Sequence, residues 1–229
     1  MQLKDRLKTI CDFVIPGNVV ADIGTDHAYL PIYLVEQGIT NKALACDVHS
    51  GPYNAAKRAV NQAGLKDKID VRLGDGITVI SPGEVETVVI AGMGGTTMID
   101  ILTAKPEVTA SLQQLVLQPM NAAKNLRMWL NQNGWQITQE NLVVDEGRLY
   151  EIICAKQGED VVASPIFYEV GPRLWEERHP LLKQHLLAIV SQTKKVLEGM
   201  AVSEQAKTTK KYQQEQQKIL ELEDLLKCL

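Results

Sequence analysis

Through the first two-thirds of the chain, short apolar runs alternate with segments whose apolar residues return every three or four positions. Runs at Val19–Ile23, Ala43–Asp47, Ile69–Leu73, Thr87–Ala91 and Leu115–Gln118 predict strands, and the segments at 28–38, 51–64, 94–104 and 122–133 predict helices. Such alternation requires a mostly parallel sheet covered by helices on both faces. A helix over residues 1–14, with Leu3, Leu7, Ile10 and Val14 on one face, precedes the first strand and stops before Pro16-Gly17. Two longer runs, Trp135–Val144 and Arg148–Ala155, flank the turn Asp145-Glu146-Gly147 and predict an antiparallel hairpin at a sheet edge. The expected core is therefore α/β and seven-stranded, with five parallel strands and a terminal hairpin.

The pattern changes after the polar stretch Gln157-Gly158-Glu159-Asp160, which predicts two domains, 1–160 and 161–229. In the second, Leu182, Leu186, Ile189, Thr193, Val196 and Met200 step by four and three, as do Thr208, Tyr212, Glu215, Ile219, Leu222, Leu226 and Leu229. That seam predicts an antiparallel coiled-coil hairpin, with a break near Glu198-Gly199 and a new helix capped by Ser203. Each arm is expected to span roughly 40 Å at about 1.5 Å per residue.

Composition narrows the classes of function. A chain of 229 residues, 45% apolar and 23% charged, can bury a core and still carry an appendage. No apolar run approaches the roughly 18 to 20 residues that cross a bilayer, and MQLKDRLKTI carries charge where a signal peptide would be apolar. No membrane association and a cytoplasmic location are expected. The four cysteines stand singly, without zinc or redox spacing, so no metal is expected. A net charge of −4 argues against global attraction to nucleic acid and leaves only local basic patches for it.

Chemistry concentrates at the predicted strand ends, where ligands of open parallel sheets bind. The first strand runs into Asp22-Ile23-Gly24-Thr25-Asp26-His27, the second into Asp47-Val48-His49, the third into Asp75-Gly76, and the fourth into Gly92-Met93-Gly94-Gly95. Ribose hydroxyls and an adenine amine are donors, and carboxylates on neighbouring strands accept from both. Asp47 suits the ribose, about two dozen residues after the glycine turn, and Asp75 suits the adenine amine. The turn itself offers one glycine where a dinucleotide fingerprint has three, and Asp22 and Asp26 repel phosphate. A cofactor with an ammonium and a sulfonium, S-adenosylmethionine, fits better than a nicotinamide nucleotide. Asp22, Gly24, Thr25, Asp26, His27, Asp47, Asp75, Gly76 and Gly92 are the expected cofactor residues.

VADIGTDHAYLP, ACDVH, RLGDG, IAGMGG and LQP stand in the order found in class I S-adenosylmethionine-dependent methyltransferases. With the helical tail, the whole chain resembles the bacterial tRNA (adenine-22-N1)-methyltransferase family. The resemblance implies a Rossmann-like fold and methylation of adenine N1 in tRNA. On that reading Asp26, Tyr29, Gly92, Met93 and Gly94 surround the reacting atoms, with Pro119 and Gly95 beside them. Lys4, Arg6, Lys8, Lys57, Arg58, Arg127 and Arg148, with Lys194, Lys195, Lys207, Lys210 and Lys211 of the tail, are the expected RNA contacts of a monomer or weak dimer. A methyltransferase with another substrate, a nicotinamide-dependent reductase and a non-catalytic RNA-binding protein remain the alternatives.

Overall fold

The computed structural model describes residues 3–229 and divides into two compact units, the first closing at Val161 and the second spanning Val162–Leu229. In the first unit, α1 (Asp5–Asp12) precedes β1 (Val20–Ile23), α2 (Tyr29–Glu36), β2 (Ala43–Asp47), α3 (Ser50–Gln62), β3 (Ile69–Leu73) and β4 (Thr87–Met93). Then come α4 (Gly95–Thr103), α5 (Pro106–Thr109), β5 (Gln114–Pro119), α6 (Ala123–Gln132), β6 (Trp135–Asp145) and β7 (Arg148–Gln157). The helix expected over residues 1–14 is shorter than its pattern, and its first two positions lie outside the described residues.

Seven strands form one sheet in the order β3-β2-β1-β4-β5-β7-β6. β1 to β5 pair in parallel, β7 runs antiparallel against β5, and β6 closes the edge as its hairpin partner. The order reverses between β1 and β4, which opens a crevice at the carboxyl ends of those two strands. β4 extends two residues beyond the apolar run that predicts it, through a bulge between Ala91 and Met93 that places Met93 opposite Pro119.

Side chains alternate across each strand. Ala21, Ile23, Val88, Ile90, Leu115 and Leu117 enter one core with Met98, Leu102, Leu126 and Leu130. Val20, Val89 and Val116 enter the other with Ile10, Val14, Leu30 and Leu34. Asp22 follows Val20 by two, so its carboxylate lies on the face that α1 and α2 cover. That is why it is buried, with 6% of its surface exposed.

Arg127 is the one expected RNA contact that the fold removes from solvent. It follows Leu126 on the inner face of α6 and is fully buried, its guanidinium bound to Glu140 at 2.6 Å and to Glu151 at 2.5 Å. Arg127 therefore ties α6 to the β6–β7 hairpin and is out of reach of any nucleic acid.

In the second unit, α7 (Ile166–Val170) and α8 (Pro172–Glu176) lead into α9 (Leu182–Ala201), α10 (Glu204–Lys207) and α11 (Lys210–Lys227). α9 and α11 have 20 and 18 residues, about 30 and 27 Å long, shorter than the expected 40 Å because the linking segments consume the rest. α9 runs unbroken through Gly199, and Ser203 caps α10 by accepting from the Ala206 N–H. The buried residues of α9 include Leu182, Leu186, Val190 and Thr193, whereas Val196 is exposed. The seam thus drifts one residue off the strict heptad, as a straight 3.6-residue helix does. Lys194 and Glu223 join α9 to α11 at 2.8 Å.

Candidate active site

At the end of β1 the chain turns sharply. Gly24 has φ +76°, a backbone angle that strains any other residue, and a Cβ there would also displace the flexible end of the Met93 side chain. The Gly24 and Thr25 N–H groups both donate to the Cys46 carbonyl, at 2.8 and 3.0 Å. Two amides that could face an anion are thereby spent within the protein. His27 and Ala28 follow with φ 55° and 53°, two consecutive left-handed residues that reverse the chain into α2. The His27 ring stacks on Tyr29 at 5.2 Å between centroids, with Nε2 3.5 Å from Asp26 Oδ1.

Asp22, Gly24, Asp26, Tyr29 and Ala91, with Arg6 and Leu7 of α1 and Leu30 of α2, line one pocket of ≈ 120 Å³ at the crevice. Burial pushes the Asp22 carboxyl up to about 6, and the charges of Asp47 and Asp26 push in the same direction. The Thr25 hydroxyl lies close enough to Asp22 to oppose that rise, but the approach falls short of hydrogen-bond geometry. Thr25 Oγ1 is consequently a buried polar atom without a partner among the described residues, a cost that a ligand's donor or acceptor would remove.

The other expected cofactor residues extend along the strand ends. Asp47 Oδ1 accepts from the His49 N–H at 2.7 Å, which sets the turn from β2 into α3. Asp75 is exposed and leads into a 3-10 turn at Gly76–Val79, where Gly76 has φ +54° and packs against Ile101. From β3 to β4 the track covers three strand spacings, roughly 14 Å. An elongated ligand can thus lie with a nucleoside over Asp75 and Asp47 and a cationic end over Asp22 and Asp26. An orphaned hydroxyl, acidic lining and occupied turn amides fit S-adenosylmethionine and disfavour a pyrophosphate.

Around the expected reacting position, Gly92 sits in the β4 bulge with φ +80°, and Met93 reaches back over Gly24. Gly94 and Gly95 face elsewhere. A Cβ on Gly94 would stand 2.9 Å from Asn121 Oδ1, and one on Gly95 2.6 Å from the Ala122 carbonyl oxygen. Their small size therefore accommodates the turn between β5 and α6. The basic residues also sort themselves. Lys4 pairs with Glu146, Lys57 lies over the Tyr53 ring, and Lys8, Arg58 and Arg148 are exposed.

Arg6, expected from the sequence as an RNA contact, lines this pocket. It flanks the apolar stripe of α1, which reads as an outward position, yet its guanidinium turns into the crevice. The adjacency to Leu7, itself half-buried against the core, was the available signal. A larger cleft of ≈ 560 Å³, lined by Leu102, Pro106, Trp129 and Trp135, lies at the amino ends of the parallel strands and carries none of the strand-end carboxylates. Volume alone does not locate the chemistry here.

Residues 3–153 match the methyltransferase domain family. The chain is 34% identical over 234 residues to the tRNA (adenine(22)-N(1))-methyltransferase of Bacillus subtilis strain 168, covering 100% of this chain and 96% of that protein. Streptococcus pneumoniae Sp1610 in complex with S-adenosyl-L-methionine superposes with a TM-score of 0.88 at 34% identity, over 98% of this chain and 100% of that one. TrmK of M. capricolum in complex with S-adenosyl-homocysteine gives 0.84 at 26% identity, over 99% of both chains. Methyltransferase fold, strand-end carboxylates and an end-to-end relative agree, and the chain belongs to the tRNA (adenine(22)-N(1))-methyltransferase family.

Proposed function

We propose that this protein methylates N1 of adenine 22 in tRNA, with S-adenosylmethionine as the donor. The observation that carries the reading is the β1 turn, where the Gly24 and Thr25 amides are spent on Cys46 while Asp22 and Asp26 line the pocket beneath. Such a turn selects a cation over a phosphate, which separates a methyltransferase from a nicotinamide-dependent reductase. The tRNA substrate rests on the kinship with the B. subtilis enzyme.

S-adenosylmethionine supplies an electrophilic methyl group on a positively charged sulfur. The chain's own residues hold and shield. Asp22 and Asp26 accept from an ammonium, Asp47 from ribose hydroxyls, Asp75 from an adenine amine, and the Thr25 hydroxyl gains the partner it lacks. Adenine N1 carries a free lone pair, so the target base needs alignment and a dry approach more than deprotonation. Asp26, exposed at the rim and 3.5 Å from His27, would orient the target's amino group, and Tyr29 in the pocket lining and Met93 beside Gly24 would offer apolar surface to its face. Gly92 leaves the β4 end open to backbone approach. Reaching N1 requires the nucleotide to leave its stack. Residues 1–160 do this work, and residues 161–229 act as a helical clamp on the tRNA.

The test is mass spectrometry of nucleosides from tRNA of cells with and without the gene, combined with transfer of labelled methyl to unmodified tRNA. N1-methyladenosine at tRNA position 22 is expected to vanish without the protein, and a transcript carrying guanine in place of that adenine should accept no label. Persistence of the modification in the deletion strain would remove the substrate assignment.

A further inference from the structure

The pocket that receives the cationic end of the cofactor has a wall of opposite charge. Arg6 reaches it from α1, facing a lining that includes Asp22 and Asp26. Its guanidinium is held on two sides. Nη1 donates to Gln118 Oε1, and Cζ lies over the Tyr150 ring, 5.4 Å from its centroid. Gln118 is fully buried and fixed in turn, since its amide nitrogen donates to the Pro119 carbonyl at 3.1 Å. The guanidinium also abuts the β4 bulge, where Nη1 stands 3.9 Å from the place a Gly92 side chain would occupy.

Of the five N–H donors of Arg6, one is engaged in a hydrogen bond among the described residues, and no carboxylate there forms an ion pair with it. A positioned guanidinium with open donors binds a carboxylate or phosphate through paired hydrogen bonds. The pocket, ≈ 120 Å³ with carboxylates in its lining, is too small and too acidic for a nucleotide phosphate. It suits an α-amino acid head, which carries an ammonium and a carboxylate on one carbon.

Given the methyltransferase reading, we propose that Arg6 binds the α-carboxylate of S-adenosylmethionine and makes this pocket selective for the zwitterionic head. Gln118 and Tyr150 are then positioning residues for Arg6. The cofactor would be read at four places, with the carboxylate end recognised by a helix that lies outside the strand-end motifs.

Calorimetric titration with S-adenosylmethionine and with its decarboxylated analogue, which keeps the sulfonium and the amine, provides the test. The wild-type protein should prefer the carboxylated ligand by roughly 10- to 100-fold, the range of one charge-assisted contact. Arg6→Met should lose that factor for S-adenosylmethionine and bind the analogue at least as tightly as the wild type does, because a like charge beside a cationic ligand is gone, which also shows that the variant is folded. Arg6→Lys should recover part of the preference. Equal losses for both ligands would make Arg6 a structural residue and overturn the proposal. Unchanged cofactor affinity with a raised KM for tRNA would overturn it too, by assigning Arg6 to an RNA phosphate. If the wild-type protein bound neither ligand, the methyltransferase reading itself would fall.

Discussion

Burial, with Asp47 and Asp26 adding to it, holds the Asp22 carboxyl at about 6 against an ordinary value of 3.8. A carboxyl raised in the folded state contributes stability that is complete below the unfolded value and is lost as pH rises through 6. At neutral pH the ionised Asp22 therefore costs the ligand-free protein roughly 3 kcal/mol. Asp22→Asn should raise the melting temperature of the ligand-free protein at pH 7.5, with a difference that shrinks toward pH 4.5. The same variant should weaken S-adenosylmethionine binding at pH 7.5, because the ammonium loses its counter-charge. In the wild type, affinity should fall as pH drops below 6, and binding near that pH should release a proton, measurable by calorimetry in buffers of different ionisation enthalpy. A less stable Asn variant at pH 7.5 would contradict the burial cost. The carboxylate at the strand end was legible from sequence, but its burial was not. Burial follows from the two-residue period that puts Asp22 beside Val20 and from α1 closing over that face, a contact between segments distant in sequence. Arg6 was hidden for the same reason, since nothing local shows which way an arginine beside an apolar stripe will turn.

Periodicity predicted elements well where each element satisfies itself. The inner strands β1, β2, β4 and β5 read correctly because both faces of a central parallel strand are buried and the run is largely apolar. β3, at the sheet edge, shows itself instead by alternation, Ile69 and Val71 on one face and Asp70 and Arg72 on the other. Failures occurred where tertiary contacts set the end of an element. β4 continues past its apolar run because Met93 finds Pro119 across the bulge, and α5 is too short for its period to show. Arg127 is the strongest case of a pattern broken by a specific partner. Its position between Leu126 and Leu130 marks the inner face of α6, and only the carboxylates of Glu140 and Glu151, arriving from β6 and β7, make a charge tolerable there. Removing one member of such a group leaves the others buried without compensation, a loss of about 3–5 kcal/mol, whereas replacing both sides with apolar residues can be close to neutral. Urea unfolding of Arg127→Met should show that loss, and the double variant Arg127→Met, Glu140→Leu should recover much of it. If the single and double variants unfold alike, the group does not hold α6 to the hairpin.

For the whole molecule, the question is how an acidic protein holds a polyanion. The answer has to be local, because a net charge of −4 repels RNA on average. Several cations expected to serve are already committed, with Arg127 buried, Lys4 on Glu146 and Lys194 on Glu223. Lys195 in the last two turns of α9 and Lys210 and Lys211 at the start of α11 are exposed. A clamp built from them would grip phosphates without reading sequence and would give each contact a share of the salt dependence. Replacing all three by Ala should weaken tRNA binding, flatten the plot of log affinity against log salt by up to about two, and leave S-adenosylmethionine affinity unchanged. These residues lie on the helical unit, and the cofactor pocket is lined entirely by the other one. A triple variant with an unaltered salt slope would move the RNA surface to Lys8, Arg58 and Arg148 on the sheet unit, and the helical hairpin would then need another purpose.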